Sequence, residues 1–171
     1  ATADHLRRAR QFVSGLNASG GTEMYAPLEA VLSAPADEDL LKQVIFITDG
    51  SVGNESALFQ LIEHKLGTAR LFMVGIGSAP NNYFMRKSAQ FGRGTFTHVG
   101  DLNEVASKMS ELFRQLQAPL LRDIRIQWPD GVVAEAFPVR QPDLYDGQPL
   151  LLKAKVTTTH AGSLSAGDVI L

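Results

Sequence analysis

The sequence contains no cysteine. Disulfides, thiolate catalysis and cysteine-ligated zinc are therefore excluded, while the compartment stays open, since secreted bacterial proteins also do without cysteine. No apolar run approaches the roughly 20 residues that span a bilayer. No secretory signal peptide opens the chain, and Ala1-Thr2-Ala3-Asp4 lacks an initiator methionine, so the start reads as a point inside a longer protein. Charge of one sign is also missing as a cluster. The 16 basic and 18 acidic residues leave a net charge of -2, and without a clustered basic face nucleic acid is not an expected partner.

What remains is an ordinary globular composition. Of 171 residues, 44% are hydrophobic and 20% charged, which suits one domain or one domain with an appendage. Over residues 3–16, Leu6, Ala9, Val13 and Leu16 recur at helical spacing with arginines between them, predicting a one-sided surface helix. Asn17 to Gly21 is a break. Thr22 can N-cap a helix running to about Ser33, with Met24, Leu28 and Val31 on its buried side.

Val44-Ile45-Phe46-Ile47-Thr48 is nearly all apolar, the pattern of a strand buried on both faces in a parallel sheet. A helix over 55–66 follows, stopped by Gly67. Leu71-Phe72-Met73-Val74 reads as a second buried strand, residues 82–90 as a helix, and Thr95 to Val99 as a third strand. Asp101 and Glu104 suggest a capping box for a helix with Val105, Met109, Leu112 and Leu116 on one face. Strands alternating with helices predict a partial doubly wound, Rossmann-like α/β fold, with a parallel sheet covered on both faces and all strand C-termini on one edge. After Ala118-Pro119 the grammar changes. Ile124, Ile126 and Trp128 alternate, Pro129-Asp130-Gly131 makes a turn, and 132–137 and 150–156 are further strand candidates without intervening helices. The expected division is an α/β domain over 1–119 and a β-rich segment over 120–171.

Ligands of open parallel sheets sit outside the strand C-termini. Asp49 directly follows the first strand, and Thr22 opens a helix after a glycine loop. A carboxylate and a hydroxyl, completed by waters, suit a hard cation such as Mg²⁺. Both residues also have plainer readings, Thr22 as a helix cap and Asp49 as a turn former. His98 reads as a partly buried, hydrogen-bonded histidine. Trp128 reads as a core or hairpin residue. Ser51, Ser56 and Ser78 lie in no Gly-x-Ser-x-Gly motif, and Gly75-Ile76-Gly77 lacks the third glycine of a dinucleotide loop, so nucleophilic catalysis and a dinucleotide site have no support.

Gly20-Gly21-Thr22 before a helix, then Val44-Ile45-Phe46-Ile47-Thr48-Asp49-Gly50, resembles two loops of a von Willebrand factor type A domain. Phe72 to Gly77 and Gly94-Thr95-Phe96 resemble its last two strands. Pro142-Asp143-Leu144-Tyr145-Asp146-Gly147-Gln148-Pro149-Leu150 resembles the β segment that follows the domain in the inter-alpha-trypsin inhibitor heavy chain group and its bacterial relatives. The resemblance implies a non-enzymatic protein-interaction or adhesion module. It implies a metal-ion-dependent adhesion site holding Mg²⁺ or another divalent cation, with Thr22 and Asp49 as ligands and an acidic side chain of a partner protein as the bridged group. It also implies an extracellular, cell-surface or periplasmic setting.

The family's metal site opens with an Asp-x-Ser-x-Ser motif after its first, central strand, and this sequence has no such motif. Metal binding by these residues alone is therefore expected to be weak or absent. An unpaired edge on the strand at 44–48 is expected to drive self-association. Two other readings stay in play: a Mg²⁺-dependent phosphoryl-transfer enzyme on a similar sheet, and a structural scaffold with a degenerate metal site.

Overall fold

The computed structural model describes residues 2–17, 21, 23–35, 37, 39–49, 53–77, 81–117, 119–145 and 149–158. Helix α1 spans Ala3–Ser14. The Thr2 hydroxyl accepts from the His5 N–H, satisfying one of the free donors at the helix start. The expected one-sided helix forms, yet no residue of it is buried, and Phe12 and Val13 are 70% and 63% exposed.

Helix α2 spans Tyr25–Ser33 and starts later than expected, with Met24 at the N-cap and no side-chain cap. Thr22 lies outside the described residues. Met24, Leu28 and Leu32 form the buried stripe, while Val31 is exposed. Met24, Leu28 and Leu32 step by four residues along one face, and that face meets the next helix. Lys42 closes the far end of α2, its ammonium donating to the carbonyls of Val31 and Ala34 at 2.6 and 2.8 Å.

Strand β1 (Gln43–Thr48), helix α3 (Glu55–Lys65), strand β2 (Arg70–Ile76), helix α4 (Asn82–Phe91) and strand β3 (Arg93–Val99) follow in turn. The strands pair in the order β1-β2-β3, all parallel. Gly67 turns the chain after α3 at φ +56°. Helix α5 (Val105–Gln117) is entered through a single 3₁₀ turn, Leu102–Glu104. There the Asp101 carboxylate accepts from Asn103 N–H, so the expected box reduces to a one-sided cap.

Side chains alternate across the sheet. Val44, Leu71 and Met73 join α2, α3 and α4 in one core cluster. Phe72, Val74 and Val99 join Leu112 and Leu116 of α5 in the other. Each fully buried aliphatic or aromatic side chain in these layers contributes about 1.5–3 kcal/mol. The β2–β3 register shifts between Leu71 and Met73, and the close approach there needs glycine. A Cβ on Gly94 would stand 2.3 Å from the Leu71 carbonyl oxygen.

The remaining strands are β4 (Pro119–Leu121), β5 (Val132–Phe137), β6 (Leu144–Tyr145) and β7 (Lys153–Thr158). β4 pairs antiparallel with β6, and β5 with β7, where Glu135 faces Lys155. Two expectations need correction here. Residues 124, 126 and 128 do alternate in burial with 125 and 127, but only Gln127 makes a strand-like bridge. The last strand begins at Lys153 rather than Leu150. Its ladder runs only as far as the Phe137–Lys153 pair, because Pro138 has no N–H to extend it.

Candidate functional site

Parallel pairing gives the sheet two chemically different ends. Asp49 follows the last residue of β1, Gly77 that of β2 and Gly100 that of β3. Asp49 is exposed. Gly77 takes φ +97°, and its N–H donates to the Val99 carbonyl at 2.9 Å. The His98 ring sits with Nε2 3.0 Å from the Gly77 carbonyl. The expected hydrogen bond is present, but the residue is exposed rather than partly buried. Helices α3 and α4 both begin at this edge. The Asn81 side chain caps α4 through Phe84 N–H at 3.0 Å and donates to the Glu55 carboxylate at the start of α3.

Asp49, Glu55 and Asp101 thus share the rim, but they do not converge. Among the described residues no group of three His, Cys, Asp or Glu side chains could hold a metal ion. A Mg²⁺ ion takes six oxygens, so the described residues do not by themselves make its site, and Asp49 is the one expected ligand among them. Ser51 and Ser78 lie outside the described residues. Ser56 sits on α3.

At the opposite end, the strand heads carry arginine. Arg70 opens β2 and is 2% exposed. Its guanidinium grips Asp143, with Nε 2.5 Å from Oδ2 and Nη2 3.0 Å from Oδ1. It also donates to the Thr68 carbonyl at 2.6 Å and to Asp123 Oδ1 at 3.2 Å. Burial works against the Arg70 charge, but the bonds and charge of Asp143 outweigh it and hold its pKa above the ordinary value. Arg93 opens β3 and reaches the same Asp123 oxygen at 3.3 Å. Arg93 and Asp123, so joined, are the non-glycine residues with positive φ among those described, both at 55°.

Tyr145 lies beside this network, its ring edge-on to Phe72 at 5.7 Å. Burial, then the Asp143 charge, pushes its phenol up to about 12. Its hydroxyl has no hydrogen-bond partner among the described residues. The network ties the β-rich segment to the parallel sheet, and sequence reasoning missed it. The available signal was a lone arginine heading an otherwise apolar strand. Its partner Asp143 stands 73 residues away.

The sequence profile of the von Willebrand factor type A domain matches residues 1–98. A von Willebrand factor A domain-containing protein of Dictyostelium discoideum is 25% identical over 152 residues, covering 87% of this chain and 16% of that protein. Mouse von Willebrand factor A domain-containing protein 5B1 is 28% identical over 134 residues, covering 77% of this chain and 11% of its own. The human protein 5A is 25% identical over 154 residues, covering 89% and 20%. The chain thus spans a fifth or less of these relatives. A solved structure described as von Willebrand factor type A from Catenulispora acidiphila superposes with a TM-score of 0.65 at 23% identity, over 92% of this chain and 40% of that one, and shows the same fold. Domains of this kind generally serve protein–protein interaction and adhesion, and often bind a divalent cation. Because the profile covers more than half of the sequence, the chain belongs to the von Willebrand factor type A domain family.

Proposed function

We propose that this chain is part of a non-enzymatic protein-interaction module whose binding face is the C-terminal edge of the parallel sheet. The observation that carries the reading is the exposed Asp49 carboxylate, set directly after β1 at that edge. Asp49 and Thr22 would hold a divalent cation, Mg²⁺ or another, whose remaining ligands the described residues do not supply. Held by these residues, the cation would supply the positive charge that an acidic side chain of a partner protein meets at this edge. The resemblance to the inter-alpha-trypsin inhibitor heavy chain group supports a secreted, cell-surface or periplasmic setting. The edge of β1 away from β2 pairs with no strand among the described residues, which supports self-association through that edge.

The glycines after β2 and β3, and the use of Asp101 as a helix cap, speak against phosphoryl transfer, which needs a second carboxylate at a neighbouring strand end. The sparse donor set does favour one rival, a scaffold whose cation site has degenerated. Manganese titration of the protein containing this chain tests the assignment. Asp49→Ala and Thr22→Ala should each weaken Mn²⁺ binding tenfold or more, taking each lost oxygen as a charge-assisted contact of about 1.5–3 kcal/mol. Affinity unchanged by both substitutions would show that the site is not built on these residues and would leave the scaffold reading.

A further inference from the structure

The arginine end of the sheet opens onto a cleft of about 500 Å³ that none of the foregoing uses. Arg93, Arg125 and Arg140 line it, with Asp123 as the carboxylate on its wall. The nearby negative charge is already engaged. Asp143 is buried against Arg70 through both oxygens. Asp123 offers the same oxygen to Arg70 and to Arg93. Neither Arg125 nor Arg140 forms an ion pair among the described residues, and both are exposed. With three arginines and one carboxylate in its lining, the cleft is locally basic in a chain whose net charge is -2. Burial chiefly, and then the charges of Arg70 and Arg140, hold the Arg93 pKa below its ordinary value, against the opposing pull of Asp123 and Asp143.

Beyond these charged groups and Gln141, the lining is apolar: Ile124, Ile126, Trp128, Ala136 and Val139. Ile126 and Trp128 stand among the guanidiniums. A site for a bare inorganic anion needs converging donors and gains nothing from such a wall. Arginines interleaved with an aromatic ring and aliphatic chains match an acidic peptide that also carries apolar side chains.

We infer that the cleft between Arg93, Arg125, Arg140 and Trp128 is a docking site for an acidic, apolar-spaced peptide segment of a partner protein. It lies at the opposite end of the sheet from Asp49, so it needs no cation and operates independently of the site proposed above.

Trp128 is the sole tryptophan in the sequence, and it reports directly on occupancy. The probe is a blocked octapeptide of alternating glutamate and leucine, titrated into the chain with Trp128 emission as the readout. Its lysine–leucine counterpart and inorganic phosphate serve as comparisons. The glutamate peptide should give a saturable spectral change in the presence of chelator. Affinity should fall about tenfold in Arg125→Glu and again in Arg140→Glu, as for charged anchors at an interface. Arg125→Gln and Arg140→Gln should weaken binding in the same order but less. Binding should fade as salt approaches about 1 M, where charges are screened within about 3 Å. The proposal is overturned by an absent or non-saturable response, by equal affinity in the charge-reversed variants, or by equal binding of the lysine peptide. Phosphate saturating as readily as the glutamate peptide would equally overturn it, by showing a simple anion site.

Discussion

Asp143→Ala tests whether the Arg70 network holds the β-rich segment to the sheet. The Asp143 side chain is fully buried and that of Arg70 is 2% exposed. Removing the carboxylate leaves a guanidinium in the interior without its bidentate partner. Losing one member of a buried pair costs about 3–5 kcal/mol. Asp123 remains 3.2 Å from Arg70 Nη2, and its exposure lets it stay hydrated while sharing the charge, so the lower end, about 3 kcal/mol, applies. For a chain of this size each kcal/mol moves Tm by about 2–4 °C, which predicts a fall of roughly 6–12 °C followed by circular dichroism. High salt should not rescue the variant, because the pair is shielded from solvent.

The double change Arg70→Met with Asp143→Leu separates the cost of an orphaned charge from the worth of the pair. Replacing a buried ion pair with apolar residues of similar volume is often neutral or stabilising. The double variant should therefore melt well above Asp143→Ala, with Thr68 losing the bond from Arg70 at a cost of about 1 kcal/mol. An Asp143→Ala variant that loses under about 1 kcal/mol, or a double variant as unstable as the two single losses added, would refute the reasoning.

Other outcomes follow from the same contacts. The Tyr145 phenol, raised to about 12 from about 10 in the unfolded chain, favours the folded state fully below pH about 10 and loses that contribution as pH rises through about 12, up to about 3 kcal/mol in all. Alkaline urea titrations should show this decline in the wild type and a shallower one in Tyr145→Phe. That variant also removes a buried hydroxyl that has no partner among the described residues and should be neutral or about 1 kcal/mol more stable at pH 7. Gly94→Ala drives a Cβ to 2.3 Å from the Leu71 carbonyl oxygen, so β2 and β3 must separate, at a cost of about 3 kcal/mol or more visible in denaturant melts. Ile47, 54% exposed on strand β1, whose edge away from β2 pairs with no strand among the described residues, should drive self-association. Ile47→Lys should shift sedimentation toward monomer, and a wild-type chain already monomeric across dilution would end that idea.

The α/β part of the fold was legible because β2 is buried on both faces and α2, α3, α4 and α5 each bury one face, so hydrophobic pattern and position coincide there; the run at 44–48 suggested the same burial for β1, which is only half-buried, with Ile47 exposed. The strand starts were not. Gln43, Arg70 and Arg93 extend the three strands at their heads, since backbone pairing tolerates a polar side chain that finds a partner. The β-rich segment was legible at its turn and at 132–137. It was not legible at 150–152, where apolar content suggested a strand. Leu150 instead lines clefts beside Pro149. Asp49 could be placed from sequence because it follows a recognisable strand. The Arg70–Asp143 pair could not, because no local pattern links residues so distant in the chain.

The separation of charge between the two ends of the sheet follows from the topology itself. Parallel strands oblige α3 and α4 to begin where β1 and β2 end, so both helices aim their positive dipole ends at the edge carrying Asp49, Glu55 and Asp101. Carboxylates are favoured there before any ligand arrives. The opposite end receives helix C-termini, and its cations are drawn to carbonyls: Lys42 to Val31 and Ala34, Arg70 to Thr68 and Arg93 to Gly67, just past α3. These contacts absorb part of each charge. Arg125 and Arg140 come from the β-rich segment and bond to no helix end among the described residues, so their charge is not spent in this way. An anionic partner would therefore feel chiefly these two arginines, which is why their reversal, rather than that of Arg70, discriminates a docking site from a structural clamp.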